Sequence, residues 1–207
     1  MAFTGLMNYY PNDHGALYFL DKIFPLILSS VPGARIFIVG AKPSRRLQRR
    51  VSKNVIITSF VEDVRPFVAR AQIAVIPILI GEGTRLKALE LMAMKKPIVS
   101  TTIRCEGINL THEESALFAD TAEDFAKAVV RLFDDASLRA RLAQKAYANV
   151  VEQYGWDAIG RKLDGCIKHF LTMEGRATII MQSIKCDMET SPSQNMPHHT
   201  SGKVRNS

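Results

Sequence analysis

The chain has 207 residues, 47% of them hydrophobic and 8% aromatic, which is enough apolar surface for one cored domain, alone or with a tail. Its formal charge of +7 suits an anionic small ligand, an anionic lipid surface or nucleic acid and does not choose among them. Cys105, Cys166 and Cys186 are scattered at unpaired spacings, which argues against a disulfide framework or a zinc site and fits a reducing compartment. No apolar run reaches the roughly 18 residues of a membrane span, and Pro77 interrupts the best candidate, residues 73–80. No basic-then-apolar leader opens the chain, so the sequence reads as a cytoplasmic protein.

The elements follow in order. Residues 2–5 form a short apolar strand closed by Gly5. Asn12 or Asp13 is expected to cap a helix to about Leu28, with Ala16, Leu20, Ile23, Phe24 and Ile27 on one face. Residues 35–40 (RIFIVG), 54–58 (NVIIT) and 72–78 (QIAVIPI) are β-branched runs of the kind found in buried parallel strands. The basic run 42–50 lies after the first of them, and a short helix ends near Arg70 before the last. Strands at 97–101 and 116–119 come next. Helices then start at Thr121, Ala136 and Trp156, the last running toward Phe170. Strands alternating with helices predict an α/β fold, a Rossmann-like parallel sheet with helices on both faces. That domain is assigned to residues 1–171. Residues 172–207 are more polar, with two prolines, and are expected to be a disordered tail.

One stretch concentrates the chemistry: GEGTRLKALELMAMKKP, residues 81–97. Thr84 can cap a helix whose face at helical spacing is expected to read Leu86, Leu89, Glu90, Ala93 and Met94, apolar but for the glutamate. Gly81 and Gly83 bracket Glu82, and Gly83 lets the backbone approach a ligand. The free N–H groups of a helix start favour a phosphate. Glu82 stands above the helix and Glu90 two turns into it, so both can reach one ligand lying across its start, with Arg85 and Lys87 beside them. The arrangement suits a molecule with phosphate at one end and hydroxyls at the other.

Residues 81–108, GEGTRLKALELMAMKKPIVSTTIRCEGI, resemble the donor-binding motif of GT-B glycosyltransferases of the large retaining group, in a branch marked by GTRLK. FTGLMNYYPN, PGARIFIVG, VIITSFVEDV, AVIP and YGWDAI extend the likeness, in order, from Phe3 to about Phe170. It is closest to the C-terminal half of such an enzyme. The resemblance implies that Glu90 holds the ribose hydroxyls of a nucleoside-diphospho-sugar and Glu82 the hydroxyls of its sugar; both are the catalytic candidates. Gly5, Gly81, Gly83, Thr84, Arg85 and Lys87 would surround the diphosphate, and Phe60 and Val61 would flank the base. It further implies sugar transfer with retention, in cell-surface polysaccharide or glycolipid assembly, with no cofactor and no metal; the chain carries no Asp-x-Asp motif.

Two departures stand out. The loop after Gly5 lacks the Arg and Lys that grip the diphosphate in many relatives, which leaves that charge to Arg85 and Lys87. The N-terminal acceptor-binding half is also missing, so the chain alone is expected to be an incomplete enzyme, with apolar surface exposed on its last helix. A non-catalytic nucleotide-sugar-binding module paired with a separate acceptor domain, and another GT-B enzyme such as a nucleotide-sugar epimerase, remain as alternatives. The basic run 42–50 reads as a solvated helix face, with peripheral contact to anionic lipid at the inner face of a membrane as the other reading. Without interleaved aromatic residues it does not suit nucleic acid.

Overall fold

β-branched and small apolar residues, joined by Phe3 and Phe37, make up the central strands, because both faces of a parallel sheet are covered. The computed structural model describes residues 1–80, 86–104 and 107–189, with the backbone alone at 104 and 173–189. Among these, six strands pair in parallel: β1 (Ala2–Thr4), β2 (Ile36–Val39), β3 (Val55–Ile57), β4 (Ala74–Ile76), β5 (Ile98–Ser100) and β6 (Leu117–Phe118). Their order is β3-β2-β1-β4-β5-β6. Phe3 lies opposite Ile38, Ala2 opposite Ala74 and Val75 opposite Val99. The chain therefore starts mid-sheet, steps outward to β3, returns beside β1 and steps outward again. The strand order reverses between β1 and β4, and at such a switch point a crevice opens beyond the carboxyl ends of the strands. The Rossmann-like α/β sheet expected from the sequence is what the backbone forms.

The first crossover is helical from Tyr10 to Ser30: α1 (Tyr10–Tyr18), a π-helical stretch (Phe19–Ile23) and α2 (Phe24–Ser30). Pro25 explains the π stretch, since it has no N–H for the Asp21 carbonyl and the ladder must shift. Ala16, Leu20, Ile23, Phe24 and Ile27 are buried as the spacing predicts. The helix starts earlier than expected, after Tyr9 and with Pro11 in its first turn, so neither Asn12 nor Asp13 caps it. Pro11 already has a helix-compatible φ and an absent donor, and Asn12 is released for another task described below.

The remaining helices are α3 (Arg45–Gln48), α4 (Arg65–Arg70), α5 (Leu86–Ala93), α6 (Ala122–Asp134), α7 (Ala136–Tyr154) and α8 (Trp156–Glu189). Thr121 caps α6 by accepting from the Asp124 N–H at 3.1 Å, and Asp135 caps α7 by accepting from the Leu138 N–H at 2.8 Å. The buried face of α5 is Ala88, Leu91 and Met92; Leu86 is exposed and Leu89 and Met94 are only half-buried. This corrects the expected apolar face. The helix is rotated because α7 packs against it, with the Lys95 ammonium 4.3 Å from the Tyr147 ring centroid. The rotation leaves Glu90 exposed and Lys87 half-buried near the strand ends.

The chain divides into two units, Met1–Ile159 and Gly160–Ser207. In the second, the backbone is helical beyond Thr172, through the apolar run 177–181 and as far as Glu189. Met173, Ala177, Ile184 and Met188 continue the helical spacing in the sequence there, with no proline to stop it. Residues 190–207 lie outside the described residues. Leu163, Ile167, Phe170 and Leu171 are 59, 49, 62 and 60% exposed, an apolar stripe at helical spacing. The chain is therefore expected to self-associate. Sedimentation equilibrium should give a mass that rises with concentration and falls to the monomer value in Leu163→Glu/Ile167→Glu. A concentration-independent monomer mass for the unsubstituted chain would contradict this.

Candidate functional site

The site is built where the strand order reverses. β1 ends at Thr4, and Gly5 turns the chain at φ +155°, a conformation that side chains strain to adopt. Its N–H donates to the Val39 carbonyl at 3.0 Å, and the Met7 N–H donates to the Ala41 carbonyl at 2.9 Å. The β1 and β2 loops are thus joined backbone to backbone. Gly40 (φ +158°) sits at the closest point: a Cβ there would lie 1.7 Å from the Gly5 carbonyl oxygen.

Lys87, one residue into α5, reaches this loop. Its ammonium donates to Asn12 Oδ1 at 2.9 Å and lies 4.1 Å from the centroid of the buried Phe3 ring. A Cβ on Gly5 would come within 3.0 Å of the Lys87 nitrogen. A cation over an aromatic face with a hydrogen bond to an amide is held in place without losing its charge. The first loop lacks its own cation, and Lys87 supplies one to it from 75 residues further along the chain.

Glu90 lies one turn on, on the same side of α5 as Lys87, since residues three apart on a helix are neighbours, with Cβ atoms about 5–6 Å apart. Glu90 and buried Thr4 border a cavity of about 400 Å³ whose opposite wall is Glu62, Asp63, Val64 and Arg65. Asp63 fixes that wall: it accepts from the Arg65 N–H at 2.8 Å and from Arg65 Nε at 2.9 Å. The Arg65 side-chain hydrogen bond holds the Asp63 carboxyl below the usual carboxylate range. A carboxylate and a hydroxyl beside a recess can accept and donate to a diol, while the neighbouring ammonium can meet an anion.

The structure thus brings Gly5, Lys87 and Glu90 together. Phe60 and Val61 precede the cavity wall, with Phe60 75% exposed, and the wall itself is made by the four residues that follow. Gly81, Glu82, Gly83, Thr84 and Arg85 lie outside the described residues. The strand leading to them is anchored, because the Thr101 hydroxyl donates to the Ile78 carbonyl at 2.5 Å. Thr4, Val64 and Arg65 were not singled out from the sequence, and Asn12 was named only as a helix cap. Asn12 had a signal: it falls in phase with the buried stripe Ala16, Leu20 and Ile23, and an amide on such a stripe needs partners.

Elsewhere, the basic run carries α3, anchored by buried Leu47, with Arg45, Arg46, Arg49 and Arg50 exposed and Arg50 paired to Asp21 at 2.7 Å. It is a solvated face of the molecule. An open groove of about 610 Å³ between α2 and α6 contains none of the residues gathered at the switch point. Among the described residues, no three His, Cys, Asp or Glu side chains cluster as a metal site would, and no helix is long and apolar enough to cross a membrane.

Residues 1–135 match the family model described as Glycosyl transferases group 1. The chain is 28% identical over 163 residues to an uncharacterized 44.6 kDa protein of the cps region of Klebsiella pneumoniae, covering 74% of this chain and 42% of that protein. It is 30% identical over 142 residues to the lipopolysaccharide core biosynthesis glycosyltransferase LpsE of Rhizobium meliloti, covering 64% and 41%. The chain thus spans less than half the length of either relative. Its fold superimposes with a TM-score of 0.66, at 16% identity, on S. aureus TarM crystallised with UDP, covering 79% of this chain and 34% of TarM. A parallel sheet opening at the β1/β4 switch point, together with a family match across β1 to α6, makes this chain a member of the group 1 glycosyltransferases.

Proposed function

We propose that this chain is the donor-binding part of a retaining glycosyltransferase, taking a nucleoside-diphospho-sugar at the β1/β4 switch point. The observation that carries the reading is the pairing of Lys87 with Glu90 on one face of α5, the first at the Gly5 loop and the second at the 400 Å³ recess. In this reading the Glu90 carboxylate accepts both ribose hydroxyls and the base enters the recess beside the 62–65 wall. The diphosphate lies across the Gly5 loop against the Lys87 ammonium. As the bond between the anomeric carbon and the diphosphate breaks, negative charge grows on the departing phosphate, and a fixed cation stabilises it. Glu82, Thr84 and Arg85 complete the site around sugar and phosphate, as the resemblance implies.

A relative named for lipopolysaccharide core biosynthesis supports supply of a sugar to cell-surface polysaccharide or glycolipid; in this reading the transfer takes place at the cytoplasmic face of a membrane and without a metal. The acceptor half is assigned to a separate domain, in keeping with the share of the relatives that this chain spans.

Thermal unfolding tests the reading. Ligand at about 100 times its Kd adds roughly 2.7 kcal/mol to the folded state. One of UDP, GDP and ADP should raise the melting temperature, and Glu90→Ala should abolish the rise. Equal shifts in the two proteins would show that the nucleotide binds elsewhere.

A further inference from the structure

Asn12 is a buried amide whose two ends join elements far apart in the sequence. Its Nδ2 donates to the Leu6 carbonyl at 2.9 Å, closing the loop between β1 and α1. Its Oδ1 accepts from the Lys87 ammonium at 2.9 Å. The residue is 7% exposed, and a Cβ on Gly5 would fall 2.9 Å from its Nδ2. The amide therefore fits only because residue 5 is glycine. A lysine has four rotatable bonds and, left alone, spreads its charge over a wide volume. Here the Phe3 ring supports the ammonium from below and the Asn12 carbonyl oxygen fixes it from the side.

We propose that Asn12 is a positioning residue: by locking the Gly5 loop and the Lys87 ammonium into one unit, it gives the site its recognition of the second phosphate of a nucleoside diphosphate. The inference rests on the donor-site reading above. Asn12 is neutral, so it orients the lysine without cancelling the charge that the phosphate meets. An aspartate of the same size would cancel it. The effect is specific to the β-phosphate, because the ribose and base contacts are assigned to Glu90 and the 62–65 wall, away from Asn12.

The test uses isothermal titration of the 207-residue chain with UDP, GDP and ADP, each paired with its monophosphate. The unsubstituted chain is expected to prefer the diphosphate of one base. Asn12→Ala and Asn12→Asp should each lower diphosphate affinity about tenfold, the size of one lost charge-assisted contact. Monophosphate affinity should stay within about twofold. Adding Asn12→Ala to Lys87→Met should change nothing further, since the two act as one unit.

A second readout needs no ligand. The Phe3 ring current should displace the Lys87 side-chain NMR signals, and Asn12→Ala should return them toward exposed-lysine values. Equal losses for mono- and diphosphate, additive losses with Lys87→Met, or Lys87 signals unmoved by Asn12→Ala would overturn the positioning role while leaving the donor site standing. Failure of every nucleotide to bind the unsubstituted chain would overturn the donor-site reading, and this proposal with it.

Discussion

Gly40→Ala should destabilise the fold by about 3–5 kcal/mol, combining backbone strain at positive φ with forced repacking. The residue has φ +158°, and its Cβ would sit 1.7 Å from the Gly5 carbonyl oxygen, a backbone atom that cannot swing aside as a side chain can. Relief requires pulling the β1 and β2 loops apart, which sacrifices the hydrogen bonds from the Gly5 N–H to Val39 and from the Met7 N–H to Ala41. For a domain of this size the cost corresponds to a fall in Tm on the order of 6–20 °C. Gly33→Ala is the control: no atom lies within 4 Å of its Cβ, so its effect should stay within about 0.5 kcal/mol. Differential scanning calorimetry of the two variants decides the matter. Equal Tm values would mean that the two loops do not touch as described.

Lys87→Met should weaken nucleoside diphosphate binding by about 10–100-fold, the range for a hydrogen bond to a charged group. The unbranched methionine side chain still covers the Phe3 ring, so the loss is of charge rather than of packing. Monophosphate binding should be little changed, while Tm should fall by a few degrees, since the buried Asn12 Oδ1 loses the ammonium that donates to it. Titration of both nucleotides into the variant checks this, and a uniform loss across mono- and diphosphate would place the ammonium away from the second phosphate. The size of the effect should shrink with added salt, as screening weakens any charge that remains open to solvent.

Much of the fold was legible in the residues. The runs RIFIVG, NVIIT and QIAVIPI became β2, β3 and β4 because β-branched residues suit a sheet buried on both faces. Thr121 and Asp135 became helix caps because their side chains satisfy N–H groups that the helix cannot. The rest depended on long-range packing. The buried face of α5 differs from the expected one because Leu86, Leu89, Ala93 and Met94 have the right spacing, but packing against the rest of the domain buries Ala88, Leu91 and Met92 instead. Residues 12 and 13 looked like a cap because Asn and Asp are common there, while Pro11 moved the helix start upstream.

The site divides in the same way. Glu90 and Lys87 could be named from their motif, but the Lys87 contact with Asn12 joins residues 75 positions apart, and no local pattern announces it. The wall at 62–65 directly follows Phe60 and Val61 in the chain. Asp63 shapes that wall through its grip on Arg65.

The central claim is that this chain binds an intact nucleotide sugar at the β1/β4 switch point. Saturation-transfer difference NMR with UDP-glucose, GDP-mannose and ADP-glucose tests it most directly. One of them is expected to show transfer to its ribose and sugar protons, to be displaced by the matching nucleoside diphosphate, and to lose the signal in Glu90→Ala. Absence of transfer from all three, or a signal that survives in Glu90→Ala/Lys87→Met, would contradict the assignment of the donor site to α5 and the Gly5 loop.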